Sequence, residues 1–178
     1  MNTKKMTNKE IAQKLLELAK ELDPETLATP EFWEIKIEKG MTIEGVLAEC
    51  KKLFPVWRWT DDNLDQIINS DRTSKKAYTV KVKENVEADE ELKNLSADDL
   101  KEKGIKGITL LERLVLEIQY FKETGKHLDI DNVTLCSGSR RSDGSVPDVY
   151  WNRNDSSVRV LWCNSGLRDG NLRSRRIV

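Results

Sequence analysis

The chain has no apolar run of about eighteen residues, so nothing in it reads as a membrane-spanning helix. It has almost no net charge, −1 over 178 residues, so no global field draws it to nucleic acid or acidic lipid. Its opening, Met1 to Thr7, lacks the apolar core of a signal peptide, and a cytoplasmic or virion-associated location is expected. Cysteines number three, Cys50, Cys136 and Cys163. Their odd count and wide spacing argue against a disulfide scaffold and a thiolate metal site, leaving free thiols in a reducing compartment. The single histidine, His127, follows Lys126 just past a helix end and reads as a surface residue, not a general base. No Gly-x-Ser-x-Gly, His-Glu-x-x-His or phosphate-loop motif occurs. Asp129, Asp131, Asn132 and Asp143 lack the spacing of a calcium loop. The expectation is a protein that is not an enzyme, with no cofactor and no required metal.

What is present is a helical first part and a strand-rich last part. Thr7 and Glu10 fit a capping box ahead of Ile11, Leu15, Leu18 and Leu22, and Asp23-Pro24 ends that helix. Phe32 to Ile37 alternates and fits a short strand. Thr42 to Leu53 is amphipathic, with Ile43, Val46, Leu47 and Cys50 on one face and Pro55 as its stop. Trp57 and Trp59 follow and are assigned to the core, where large aromatics usually pack. Asn63 to Ile68 reads as a short helix. The polar stretch Asn69 to Lys76 is the best candidate boundary. Tyr78, Val80 and Val82 alternate as a strand. A short helix begins near Ser96 and ends at Gly104. Thr109 and Glu112 form a second capping box, opening the strongest helix, which Gly125 caps. After His127 short apolar runs alternate with turn residues. Val133 to Cys136 is one strand, and Val149 to Trp151 and Val158 to Trp162 are a pair joined by Asn152 to Ser157.

From His127 to Val178 there is no lysine, glutamate, glutamine or methionine, whereas eight of the eleven arginines lie there. An even spread would put roughly ten lysines and glutamates into that stretch. Strands and turns disfavour Lys and Glu, but they do not remove all four types while keeping Arg. The genetic code supplies a sharper reason. If asparagine codons are randomised at their adenines, every product ends in C or T, and Lys, Glu, Gln, Met and Trp cannot arise. Strand alternation agrees. Val158, Val160 and Trp162 share a uniformly apolar face with Val149 and Trp151. Arg159, Leu161 and Cys163 share the other with Tyr150 and Asn152, a mixture that suits neither a core nor a solvated face.

The stretch from Gly144 to Val178, GSVPDVYWNRNDSSVRVLWCNSGLRDGNLRSRRIV, resembles the variable proteins of diversity-generating retroelements. Their C-terminal region is rewritten by adenine-directed mutagenesis and displayed on a C-type-lectin fold. The closing Asn171-Leu172-Arg173-Ser174-Arg175 is similar to the Gly-Phe-Arg type strand that ends that fold, with Leu172 where Phe is usual. The resemblance implies an α+β chain: residues 1–75 a helical N-terminal region, and residues 76–178 a C-type-lectin-like domain with a small twisted antiparallel sheet, packed helices and a variable region at about 146–172. The strand near Tyr78 would pair with the terminal strand near Arg173 to Val178. Phe32 to Ile37 is an alternative first strand, which would place more of the chain inside the domain. The implied function is ligand binding through a hypervariable face formed by Asp148, Tyr150, Asn152, Arg153, Asn154, Ser156, Ser157, Arg159, Leu161, Cys163, Asn164, Ser165, Leu167 and Arg168.

Tyr and Arg suit such a face, giving rigid amphipathic area and planar hydrogen bonding. The partner would be a selected ligand, a protein or a cell-surface molecule, and a reverse transcriptase system is expected at the gene level. Trp151 and Trp162 are expected as buried scaffold. The competing reading is a nucleic-acid-binding domain that uses Arg140, Arg141, Arg173, Arg175 and Arg176. It must overcome the six Asp that accompany the eight Arg of this tail, a small excess for a phosphate-binding surface.

Overall fold

The computed structural model describes residues 31–178, together with Thr7, Lys9, Ile11, Gln13 and Lys14. Two compact units are distinguished, Met1–Glu31 and Phe32–Val178. In the first, the described residues 9, 11, 13 and 14 are helical and the Ile11 amide donates to the Thr7 carbonyl at 3.0 Å. The rest of the expected first helix, including Glu10, Leu15, Leu18 and Leu22, lies outside the described residues.

The second unit is α+β. Its elements in chain order are β1 (Phe32–Ile37), α1 (Ile43–Leu53), β2 (Val56–Arg58), α2 (Leu64–Ile67), β3 (Ile68–Ser70), β4 (Tyr78–Lys83), a 3-10 turn (Glu90–Leu92), α3 (Ala97–Glu102), α4 (Leu110–Thr124), β5 (Val133–Leu135), β6 (Ser139–Arg141), β7 (Val146–Asn152), β8 (Ser157–Cys163) and β9 (Leu172–Arg173). The five-stranded sheet runs β2-β8-β7-β5-β9, and the pairs β1-β4 and β3-β6 form two smaller sheets. Among the described residues no helix is long and apolar enough to cross a membrane.

Several elements follow directly from local chemistry. Thr109 and Glu112 form the capping box of α4, each side chain satisfying the other's backbone amide, and Gly125 closes the helix in the left-handed region at φ 69°. Helix α1 buries Ile43, Val46, Leu47 and Cys50, the face its spacing predicts. Ser96 caps α3 in the same reciprocal way.

The polar stretch near residue 76 is not a boundary. Strand β1 pairs antiparallel with β4 from Phe32↔Lys83 to Ile37↔Tyr78, β2 joins the large sheet beside β8, and β3 pairs with β6. Arg72, inside the stretch that looks like a linker, donates to both carboxylate oxygens of the buried Glu112 at 2.7 and 2.8 Å and to the Gly107 carbonyl at 2.6 Å. A buried carboxylate that caps a helix and accepts a bidentate guanidinium holds this loop in place. Residues 32–75 therefore contribute three strands and two helices to the unit and are not a helical appendage. The Tyr78 strand takes β1 as its partner. Its link to the chain's end is one hydrogen bond, from the Val178 amide to the Lys81 carbonyl at 3.0 Å. The terminal strand is short, Leu172–Arg173, and pairs parallel with β5.

Two apolar clusters fill the unit. The larger joins α1, α4, β1 and β4 to Val149, Val158 and Val160 of the large sheet, with Trp151 and Trp162 packed against it. The smaller lies on the sheet's other side and gathers Leu92, Ala97, Leu100, Leu135, Val146 and Leu172, with Cys163 packed against it. A buried ionic network ties α4 to the chain's end. Arg113 donates to Asp129 at 2.9 Å and to Glu117 at 2.6 Å, Arg175 donates to Asp129 at 2.7 Å, and His127 Nδ1 lies 2.8 Å from Glu117. Burial alone would raise the Asp129 pKa; the guanidiniums of Arg175 and Arg113 outweigh it and hold that carboxyl below its usual value. His127 is not a surface residue: its ring stacks on that of Trp151, 3.4 Å away and nearly parallel at 4°.

Candidate ligand-binding face

Strands β7 and β8 pair in a register that sorts their side chains. Pro147↔Trp162, Val149↔Val160 and Trp151↔Val158 point to the larger cluster. Val146↔Cys163, Asp148↔Leu161, Tyr150↔Arg159 and Asn152↔Ser157 point the other way. The two-face division expected from alternation is present. Trp151 and Trp162 take core-side positions, although both are half-buried, not fully enclosed.

The outward face is covered at one end and open at the other. At the Val146–Cys163 row it is roofed by the smaller cluster, which includes Ala97 and Leu100 of α3. Cys163 is therefore packed on one side and half-buried, and burial pushes its thiol pKa up to about 12. Asp148 is also buried, with only 6% of its surface exposed, because Leu135 of β5 stands on one side in register and Leu161 on the other. Burial raises its carboxyl to about 7. Leu161 in this row, and Tyr150 and Arg159 in the next, are half-buried and belong to neither apolar cluster.

At the far row Ser157 is buried, its hydroxyl donating to Asp155 at 2.8 Å, and Asn152 Oδ1 accepts from the Asn154 amide at 2.9 Å. Those two shape the hairpin turn, which Ser156 completes at φ 50°. Arg153, Asn154 and Ser156 on the turn are exposed. The second loop is tied to α3. Ser165 Oγ donates to Asp98 at 2.9 Å, and Arg168 donates to both oxygens of Asp99, at 2.7 and 2.5 Å. Asn164 accepts from the Gly166 amide at 2.9 Å, and Leu167 is exposed. Of the expected face, then, Tyr150, Asn152, Arg153, Asn154, Ser156, Arg159 and Leu161 form one open area. Asn164, Ser165, Leu167 and Arg168 line the rim at α3. Asp148 and Ser157 are buried, and Cys163 is half-buried against the smaller cluster.

Strand β2 adds what alternation within the tail could not reveal. Trp57 stands opposite Arg159, whose guanidinium lies 4.5 Å from the Trp57 ring centre. Trp59 meets Trp57 edge to face at 6.0 Å. These two tryptophans are exposed, at 39% and 67%, and do not enter the core. The x-Trp-x-Trp spacing after Pro55 was the available signal: period two puts both rings on one side, with Trp57 on a three-residue edge strand and Trp59 just beyond its end.

The arginines of this face are paired within the chain. Arg153 pairs with Asp131, Arg159 with Asp155 and Arg168 with Asp99. The Asp148 carboxylate makes neither an ion pair nor a hydrogen bond among the described residues. Among those residues, no three His, Cys, Asp or Glu side chains converge in a metal-like group. No protein-family model, curated protein or solved structure matches the chain.

Proposed function

We propose that the chain is a non-enzymatic receptor. It displays a face on a C-type-lectin-like domain, and the retroelement-driven variation described above rewrites that face to fit a selected protein or cell-surface ligand. The observation that carries this reading is the sorting of residue types across β7 and β8. Tryptophan, which adenine randomisation of asparagine codons cannot produce, occurs in this hairpin only on the core side, at Trp151 and Trp162. Every outward or turn position expected to vary holds a residue that such codons can produce. The open area also has interface character: Tyr150, Arg159, Trp57 and Trp59 are the residue types that dominate binding hot spots, and an exposed aromatic pair beside a half-buried leucine is the kind of patch a ligand covers.

The arginine-rich tail gives a nucleic acid little to hold. Six of its eight arginines are in ion pairs: Arg141, Arg153, Arg159, Arg168, Arg173 and Arg175. Arg140 donates to the Ser137 and Ser139 carbonyls. Salt-sensitive affinity for phosphate requires free cations.

Two measurements test the reading. Replacing Tyr150, Arg159 and Leu161 together with Ser, Asn and Asp should leave the circular dichroism and cooperative melting intact; collapse would make these residues core and remove the binding face. At the gene, the codons for residues 146–172 should have a near-identical second copy beside a reverse transcriptase gene, differing only at adenines. A locus with neither would reject the retroelement while leaving the face in place.

A further inference from the structure

The one unpaired charge on this face lies at the edge of its open area. Asp148 sits in the second outward row, between the roofed Val146–Cys163 row and the open Tyr150–Arg159 row. It is more than nine-tenths buried, yet no hydrogen bond or ion pair reaches its carboxylate. Its oxygens are also not among the fully enclosed atoms that lack a partner, so what remains exposed includes the carboxylate. A buried carboxylate without a donor is costly to keep, and a partner from outside would relieve that cost. The surroundings select the partner's sign. The arginines that reach the open face and its rim, Arg153, Arg159 and Arg168, are each matched by an aspartate, and Arg140, at the roofed end near Cys163, is held by the Ser137 and Ser139 carbonyls, so Asp148 is the carboxylate of this face left without a cation. Tyr150, next on the same side of β7, offers an aromatic ring, and Leu161, directly opposite, offers apolar surface.

Resting on the binding face proposed above, we infer that Asp148 is the anchor for one cationic side chain, arginine or lysine, of a protein ligand, whose aliphatic stem lies against Leu161 and Tyr150. A charge-assisted hydrogen bond in a desolvated site is among the stronger single contacts available, and the stem of Arg or Lys covers apolar surface as its head reaches the carboxylate.

The probe is a displayed library of random cyclic peptides selected on the intact chain. Binders are assigned to the face when they fail to bind the Tyr150→Ser, Leu161→Ser double variant. Face-directed binders should share a required Arg or Lys. Asp148→Asn should weaken them at least tenfold, and replacing that basic residue with Gln in the peptide should weaken binding to the unaltered protein equally and add nothing on the Asn variant. The peptide substitution leaves this chain untouched, so a folding defect cannot imitate the result. Face-directed binders that tolerate Asp148→Asn, or need no basic residue, overturn the anchor and leave the face standing. If no binder maps to the face, the face and its anchor fall together.

Discussion

The two sides of one hairpin obey different rules. On the core side of β7 and β8 each residue is apolar and fixed by neighbours: Trp151 stacks on His127, which is held by Glu117 and so joins the buried Arg113–Asp129–Arg175 network. On the outward side the same strands carry Asp, Tyr, Arg, Leu and Cys in no physical order. The open rows there make few side-chain contacts, such as Arg159 with Asp155 and Trp57. Backbone pairing is shared by both sides and depends on neither set of side chains. A sheet can thus hold one face constant for stability and leave the other to be altered.

The largest expected effect breaks the core side. Trp151→Ala should lower the unfolding free energy by about 3–5 kcal/mol, through lost burial, the cavity and the lost His127 stack, as read by denaturant unfolding. A loss under about 1 kcal/mol would mean that the two sides do not differ in kind.

The second effect is nearly as large and opposite in sign. Asp148 is enclosed on the outward side, and its folded pKa of about 7 stands above the usual 3.8. An acid shifted upward folds best when protonated. The fold carries no penalty from it below about pH 4, loses stability as pH rises from there to about 7, and loses nothing further above. The shift corresponds to at most about 4 kcal/mol. Asp148→Asn should therefore stabilise the protein at pH 8, by an amount that shrinks to nothing near pH 4. Melting curves at the two values decide it: a gain independent of pH would assign the effect to packing and not to charge.

The smallest effect sharpens the contrast. Arg159→Ala removes one exposed-side ion pair and one cation–π contact, and should cost about 0.5–1 kcal/mol. Chemical denaturation of this variant beside Trp151→Ala measures the ratio between the sides directly.

Local signals were legible wherever neighbours in sequence determine the outcome. The capping box of Thr109 and Glu112, the Gly125 stop, the buried stripe of α1 and the two faces of the β7–β8 hairpin all follow from spacing alone. What could not be read depends on distant segments. Alternation says that Asp148 and Cys163 share a side with Tyr150, but not that Leu92, Ala97 and Leu100 roof one end of that side. Composition marks residues 69–76 as a linker, but not that Arg72 reaches Glu112. Tryptophan's usual place in the core misassigned Trp57 and Trp59, because an edge strand of three residues leaves the outward ring of Trp57, and Trp59 just past its end, uncovered. The expected terminal strand shrank to two residues, since Arg175 turns inward to Asp129 and the Asn85 and Val86 carbonyls.

The placement of the five tryptophans gives the molecule two separate optical reporters. Trp33 packs against Tyr120, and Trp151 and Trp162 lie half-buried along the core, so their emission should lie toward the blue and shift when the fold opens. Trp57, beside Arg159, and Trp59 are exposed, so they should supply the red edge of the spectrum and the fraction that acrylamide quenches. A ligand seated on this face would shift the red edge toward the blue and shield it from the quencher, while the core signal stays still. Unfolding would do the reverse, so occupancy and stability can be followed in one unlabelled sample.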